Sequence, residues 1–502
     1  MYNCVECQAE TYAAFTHPGQ ILRPNIDPEP RKRGVMTESS ASMPVAAAAP
    51  RLKRVLTLWD LIFYGIVLIQ PIAPVPLFGV AQKLSDAHFA TIILIAMFAM
   101  MITAVSYGRM AALYPSAGSA YTYVGRGLNQ HLGFLAGWAM FLDYLLQPLI
   151  NTVWISTALH ERAAQFHMPQ IPYAAWAAII AGIITLLNLR GIRSSARANK
   201  ILLFFMFIVI GVFIALATRY LFHWQRWSGL FSIQPFYDPR TFNSHRIMMA
   251  TSFAALTYIG FDGVTTLAED VENPKRNVLL ATVLVCVFTG IFGGLEVYLG
   301  QRVWPDWHTF PNLETAFMDI CSRVGGVWLF NAMGVILILA AFGSGLTGGL
   351  GAARLLFGMG RDNVLPRRIF GYLTPGSATP TYNILIIGAL TFVGANILYR
   401  IGNAYEHAGE LLNFGAFLAF MGVNLAAFWQ FAVVKRTDHR RNLLNDAVLP
   451  LIGFAFCALI WWNLNSLAKT VGGIWFALGL IYVAIKTRGF RTAPVIIDFS
   501  DS

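Results

Sequence analysis

The sequence predicts an all-α, polytopic membrane protein of about twelve transmembrane helices, and three observations lead to that class. The first is scarcity of charge: of 502 residues, 56% are hydrophobic and only 12% charged, about half the charged share of an ordinary soluble domain. The second is the recurrence of apolar runs of about 20 residues, the length that crosses a hydrocarbon core of about 30 Å at 1.5 Å per residue. The third is where the positive charge falls. The formal net charge of +11 suggests nucleic acid only until its placement is read. Lys and Arg crowd into alternate connections: 31–33, 51–54, 190–200, 275–276, 354–368, 435–441 and 486–491. The intervening connections carry Lys83, Arg162, Arg302, Arg323, Arg400 and Lys469. By the positive-inside rule the dense side is cytoplasmic, so both termini are expected inside the cell membrane. Arg219, Arg226, Arg240 and Arg246 oppose the rule, in what reads as the longest external loop.

Taken in order, residues 1–54 are rich in Pro, Ala and Ser, lack apolar periodicity, and read as a disordered tail. Nothing in them resembles the apolar core of a signal peptide, and Met36, after a basic cluster, is a candidate alternative start. Cys4 and Cys7 form a lone C-x-x-C, a weak zinc signal without a second pair or nearby histidines. No metal or other cofactor is expected. The spans fall at 57–83, 88–113, 131–158, 172–189, 199–220, 246–268, 277–300, 326–356, 382–399, 410–434, 447–466 and 470–486. A turn from Tyr114 to Tyr123 is expected to lead into a short amphipathic helix.

Two spans are flawed at corresponding places. The first carries Gly65 and Gln70 and then Pro71, Pro74 and Pro76, each proline removing a backbone donor. The sixth carries Tyr258-Ile259-Gly260-Phe261-Asp262-Gly263, an acid between glycines at mid-membrane depth. Broken helices five spans apart are what two inverted five-helix repeats produce, and in such folds the breaks form a solute site at the midplane. Bare N–H and C=O ends there replace the water that a polar solute loses. The plainer alternative is a kinked helix and glycines that aid packing.

At these residues the chain resembles the amino acid–polyamine–organocation permeases. The resemblance rests on Tyr258 to Asp262 followed by Glu269-Asp270-Val271-Glu272-Asn273-Pro274, on Pro115 to Tyr121, on Gly191 to Asn199, and on Ala353 to Asp362 with Leu365-Pro366. Gly137-Trp138 and Leu142 to Pro148 are similar to bacterial putrescine importers of that group. The resemblance implies a LeuT-like, 5+5 inverted-repeat core over 55–434 with broken helices 1 and 6. It leaves 435–502 for two further helices and a short tail. It also implies alternating access, with helices 1, 2, 6 and 7 rocking against 3, 4, 8 and 9. Two departures matter. The prolines of helix 1 cannot donate to a carboxylate, which shifts weight from α-amino acids toward amines. Met206 stands where some proton-coupled relatives carry a lysine.

The resulting expectation is a secondary transporter importing amino acids or polyamines such as putrescine, coupled to a proton. Its partners would be a small cationic solute, a proton and membrane lipid, with no nucleic acid. An amine or amino acid exchanger is the alternative; an integral-membrane enzyme or a sensor is disfavoured by the lack of a hydrophilic domain. The candidate substrate-binding residues are Gly65, Gln70, Asp143, Leu256, Thr257, Tyr258, Ile259, Gly260, Phe261 and Asp262, with Tyr258 and Phe261 covering the amine. Asp262 and Glu296 are the coupling candidates. An ionisable group in the membrane is costly and marks a pathway or a partner, but Asp262 also suits the N-cap of a half-helix, and an acid like Glu296 near a helix end is commonly solvated. Asp143, Gln147 and Asn151 share one helical face, as a cavity lining or an interhelical hydrogen-bonded pair would. Gly343 to Gly348 spells G-x-G-x-x-G inside an apolar helix, without the preceding strand a dinucleotide site needs, so close helix packing is expected, with Ser344 and Thr347 able to face the cavity.

Overall fold

The computed structural model describes residues 56–115, 118–163, 170–190, 196–268, 271–361, 365–374, 379–434 and 442–492. The tail with Cys4 and Cys7, and the motif residues Ser116, Ala117, Gly191 to Ser195, Glu269, Asp270 and Asp362, lie outside them. Helix α1 (Leu58–Ile69) starts on a capping box, Thr57 and Asp60 each holding the other's backbone amide. It stops at Gln70, whose φ of 68° is left-handed and whose proline neighbour bars the helical conformation. Residues 70–77 form a staircase of three-residue turns, Ala73 N to Gln70 O (3.1 Å), Val75 N to Ile72 O (3.0 Å) and Phe78 N to Val75 O (3.2 Å). Only the amides that Pro71, Pro74 and Pro76 leave available are used. Helix α2 (Phe78–Leu84) completes the first span.

There follow α3 (Phe89–Leu113), α4 (Ser119–Gly127), α5 (Gln130–Arg162), α6 (Tyr173–Leu189), α7 (Ala196–Leu230) and α8 (Ser244–Ala254). After α8 the backbone tightens into a 3-10 turn (Ala255–Tyr258) and, past Ile259 and Gly260, a 3-10 helix (Phe261–Leu267). Helix α9 (Pro274–Val303) places its proline in the first turn, where the missing N–H costs nothing. Then come α10 (Ala316–Arg361), α11 (Arg367–Phe370), α12 (Thr381–Ile401), α13 (Ala404–Phe428), α14 (Leu449–Trp462) and α15 (Ser466–Lys486). Among the described residues ten helices are long and apolar enough to cross a membrane, and the shorter apolar α1 and α6 make twelve.

The first four spans each pack on the span five later. Helix α3 packs on α9, α5 on α10 and α6 on α12; α1 packs on the 3-10 helix 261–267, while α2 packs on α8. The first half of one broken span thus meets the second half of the other, as inversion requires. The last two helices are fastened to this core by side chains. Asn424 of α13 donates to Thr103 Oγ1 (3.1 Å), which lies 3.3 Å from Cys457 Sγ of α14. Trp138 of α5 and Trp475 of α15 stack at 4.6 Å, each indole N–H donating to the other's backbone carbonyl.

Several expected boundaries move. Helix α10 begins ten residues before its expected start and absorbs a kink at Gly326, φ 72°. Helix α7 runs on to Leu230 across a kink at Arg226, φ 55°, so Arg219 is helical and Arg226 marks the kink rather than lying in a loop, and Arg246 sits in the first turn of α8, paired with Asp86. Only Arg240 of the four lies in the connection. Helix α4 is buried nearly all round rather than amphipathic at a surface, because α5 and α13 enclose it.

Candidate functional site

The two breaks touch. Gly65 of α1 is wedged against the sixth span, and a Cβ there would lie 2.8 Å from Val264 Cγ2 and 2.6 Å from Val285 Cγ2. Leu68 crosses over Gly260 and Gly263, and a Cβ on Gly263 would stand 2.7 Å from its Cδ1. Gly65 and Gly263 therefore leave room for side chains of the facing segment that a Cβ would meet. Gly260, at φ 114°, also supplies the left-handed turn that separates Ile259 from the next half-helix.

That turn fixes Asp262. The cap position of the 261–267 helix falls on Gly260, not on Asp262, which corrects the N-cap expectation. Asp262 sits in the first turn, 5% exposed, with its carboxylate toward the amides of Gly260, Gly263 and its own residue. Free amides at a helix start suit an anion. The second acid comes from α5. Asp143 is 6% exposed, its Oδ1 has no hydrogen-bond partner, and it lies within electrostatic range of Asp262. Tyr64, Tyr107 and Tyr144 also feel the charge of Asp262. No basic side chain enters the electrostatic surroundings of either acid among the described residues. A charged side chain at mid-membrane costs about 3 kcal/mol, so two buried acids within electrostatic range of each other make this region a candidate site for a cation.

The rest of the α5 face goes elsewhere. Ser344 of α10 donates to Gln147 Oε1 (3.2 Å), and Asn151 Nδ2 donates to Ser344 Oγ (3.2 Å). Gly348 closes on Gln147 so tightly that a Cβ would lie 2.3 Å from the glutamine Cβ. Thr347 returns its hydroxyl to Gly343 O of its own helix. The glycine string therefore packs helices, and Gln147 and Asn151 are hydrogen-bonded across them. Gln70, at the end of α1, donates its side-chain amide to Ala340 O of α10 at 3.0 Å, and Met206 is buried on α7.

Two expected covering residues are turned away. Tyr258 is fully buried and donates its hydroxyl to Ile93 O of α3 at 2.7 Å. Phe261, also fully buried, is packed edge-on by Tyr107 at 5.4 Å and tilted against Phe420 at 5.2 Å. Neither ring lies over an open site, because the 3-10 geometry points both into the aromatic core. Leu256 spends its carbonyl on Ile259 N; Ile259 is buried, and the buried hydroxyl of Thr257 has no partner. Glu296 is not solvated: it is 1% exposed, and neither carboxyl oxygen has a hydrogen-bond partner. Its burial follows from α9 continuing another seven residues to Val303.

Sequence reasoning passed over the three tyrosines. Tyr64 and Tyr144 adjoin residues already singled out, which was the available signal; Tyr107 has none, since nothing in its run sets it apart.

The fold defines a helical, multi-pass membrane protein, and its candidate site lies at two helix breaks. The sequence profile described as Amino acid permease matches residues 74–488, and the chain belongs to that family. It is 31% identical over 443 residues, 88% of this chain and 95% of the relative, to the low-affinity putrescine importer PlaP of Escherichia coli. It is 24% identical over 476 residues (87% and 95%) to the branched-chain amino acid permease BcaP of Lactococcus lactis. It is also 24% identical over 490 residues (91% and 97%) to the methylthioribose transporter of Bacillus subtilis.

Proposed function

We propose that this permease imports a small diamine of the putrescine type by alternating access, driven by a proton, with both termini in the cytoplasm. One observation carries the reading: Asp143 and Asp262 are both buried, within electrostatic range of each other, with no basic partner among the described residues. A neutral or zwitterionic amino acid would leave one of the two acids uncompensated, whereas a dication neutralises both. The prolines after Gln70 support the same preference, since they withhold the donors a carboxylate needs. The relative named as a putrescine importer agrees with it. Asp262 meets one ammonium group and Asp143 the other. The breaks at Gln70 to Leu77 and at Gly260 act as hinges between outward- and inward-open forms. The deciding experiment is uptake of labelled putrescine by proteoliposomes, against a panel of amino acids, with and without an imposed pH gradient. Putrescine uptake that amino acids fail to inhibit, enhanced by the gradient, is the expected outcome. Uptake of no amine at all would sink the reading, and exchange indifferent to the gradient would make the protein an antiporter.

A further inference from the structure

Glu296 is the buried acid that the diamine site leaves unused. Gly293, Glu296 and Gly300 are spaced three and four apart and so share one face of α9. That face lies against the broken first span. A Cβ on Gly293 would come within 3.0 Å of Pro74 Cγ, and one on Gly300 within 3.0 Å of both Phe78 and Phe317. The carboxyl of Glu296 is therefore enclosed between the break and the start of α10, and neither oxygen has a donor. Its surroundings hold no charged partner among the described residues. The titratable group that registers it is the buried thiol of Cys321 on α10, with Asp319 beyond. No titratable group on α1, α3, α7 or the 255–267 segment does so.

The contrast with Asp262 is chemical. Asp262 is buried too, but backbone amides oppose that burial by supporting its carboxylate, whereas Glu296 has no such donor. A carboxylate buried with no donor and no cation is strongly disfavoured, so the packing seen here accommodates Glu296 as the neutral acid. Ionising it requires water or a new donor, which means moving α2 and the 70–77 staircase away from α9. Protonation and the position of the broken span are thereby linked, because a ligand shifts an equilibrium by its differential affinity for the two forms.

We propose that Glu296 is the coupling-proton site of the transport cycle and that Asp262 is reserved for the substrate ammonium. In each cycle an O–H bond forms on the Glu296 carboxylate with a proton from the outer side, and the same bond breaks to water on the inner side. No electrons change hands. This rests on the proton-driven import proposed above. Its test uses the full chain in proteoliposomes and compares gradient-driven putrescine accumulation with gradient-free exchange. Glu296→Gln is expected to lower the ratio of accumulation to exchange at least about ten-fold, because a permanently neutral side chain carries no proton. Infrared difference spectra should lose a protonated-carboxyl band in the same variant. An unchanged ratio, or a wild-type band untouched by the substitution, overturns the assignment. Should Glu296→Gln fail to fold, Glu296→Asp decides: a shifted pH profile of accumulation is expected, and an unshifted one refutes the role. A wild type that transports no amine defeats the transport reading alone, and the infrared band still reports whether Glu296 holds a proton. A wild type that transports amine without response to the gradient defeats the proton site.

Discussion

Replacing Asp143 by asparagine separates the two arms of the proposed diamine site. The acid is 6% exposed and Asp262 is 5% exposed, with no basic side chain among the described residues to compensate either. An ammonium about 4 Å from a carboxylate is worth about 4 kcal/mol at an effective dielectric constant of about 20. Removing one partner of a buried pair costs about 3–5 kcal/mol, because the other charge is left stranded. At a tenfold change for each 1.4 kcal/mol, the lower figure raises the Kd for putrescine more than about a hundred-fold. Butylamine has the same chain but one ammonium, which Asp262 holds, so its Kd should move by less than about three-fold. The preference for the diamine therefore collapses in Asp143→Asn. In Asp262→Asn both ligands weaken together. The assay is competition binding on detergent-purified protein, with thermal unfolding as a check on folding. Equal weakening of butylamine and putrescine in Asp143→Asn would remove Asp143 from the site. Near-normal binding in Asp262→Asn would remove Asp262.

Three further outcomes follow from particular contacts. Gly348→Ala drives a Cβ to 2.3 Å from that of Gln147, an overpacking worth about 1–3 kcal/mol, so its Tm should fall. Gly182→Ala, with nothing within 4 Å, should not lower it, and equal Tm values would refute the packing argument. Glu314, in the connection before α10, is pushed up to about 7 by burial and by Glu161 nearby, from 4.5 unperturbed. The folded state then holds a proton that the unfolded state releases, so stability falls as pH rises from 4.5 to about 7 and levels off above. Glu314→Gln should remove that decline, and a Tm difference from wild type that is equal at both ends of the window counts against it. For topology, a cysteine at Ser232 should label from outside the cell and one at Ser377, which lies outside the described residues, should not; the reverse pattern inverts the orientation.

Much of the site's position was legible because breaks advertise themselves. Prolines in series, and an acid between glycines within an apolar run, violate the rules of a continuous helix, and the violation locates the interruption without any knowledge of packing. The direction of each side chain was not legible. Tyr258 and Phe261 stand beside Asp262 in sequence, yet the 3-10 geometry sends both into the core, where Ile93 and Phe420 claim them. Glu296 looked like a helix-end residue because hydropathy alone could not place the end of α9. The α5 face split for a similar reason: a helical wheel puts Asp143, Gln147 and Asn151 together, but Ser344 binds only the latter two.

The sequence by itself determined that the chain is a helical membrane protein, where its helices break, and that the amino acid permease pattern runs along it. These follow from one-dimensional signals, since hydropathy, proline and glycine act on the backbone locally wherever they occur. The tertiary structure alone decided that Asp143 and Asp262 become neighbours, that the tyrosines join them, and that Glu296 is sealed against the first break. Each of those facts depends on which helix faces lie together, and only the packing of α1, α3 and α9 around the broken sixth span, with α5 held against α13 and α10, sets that.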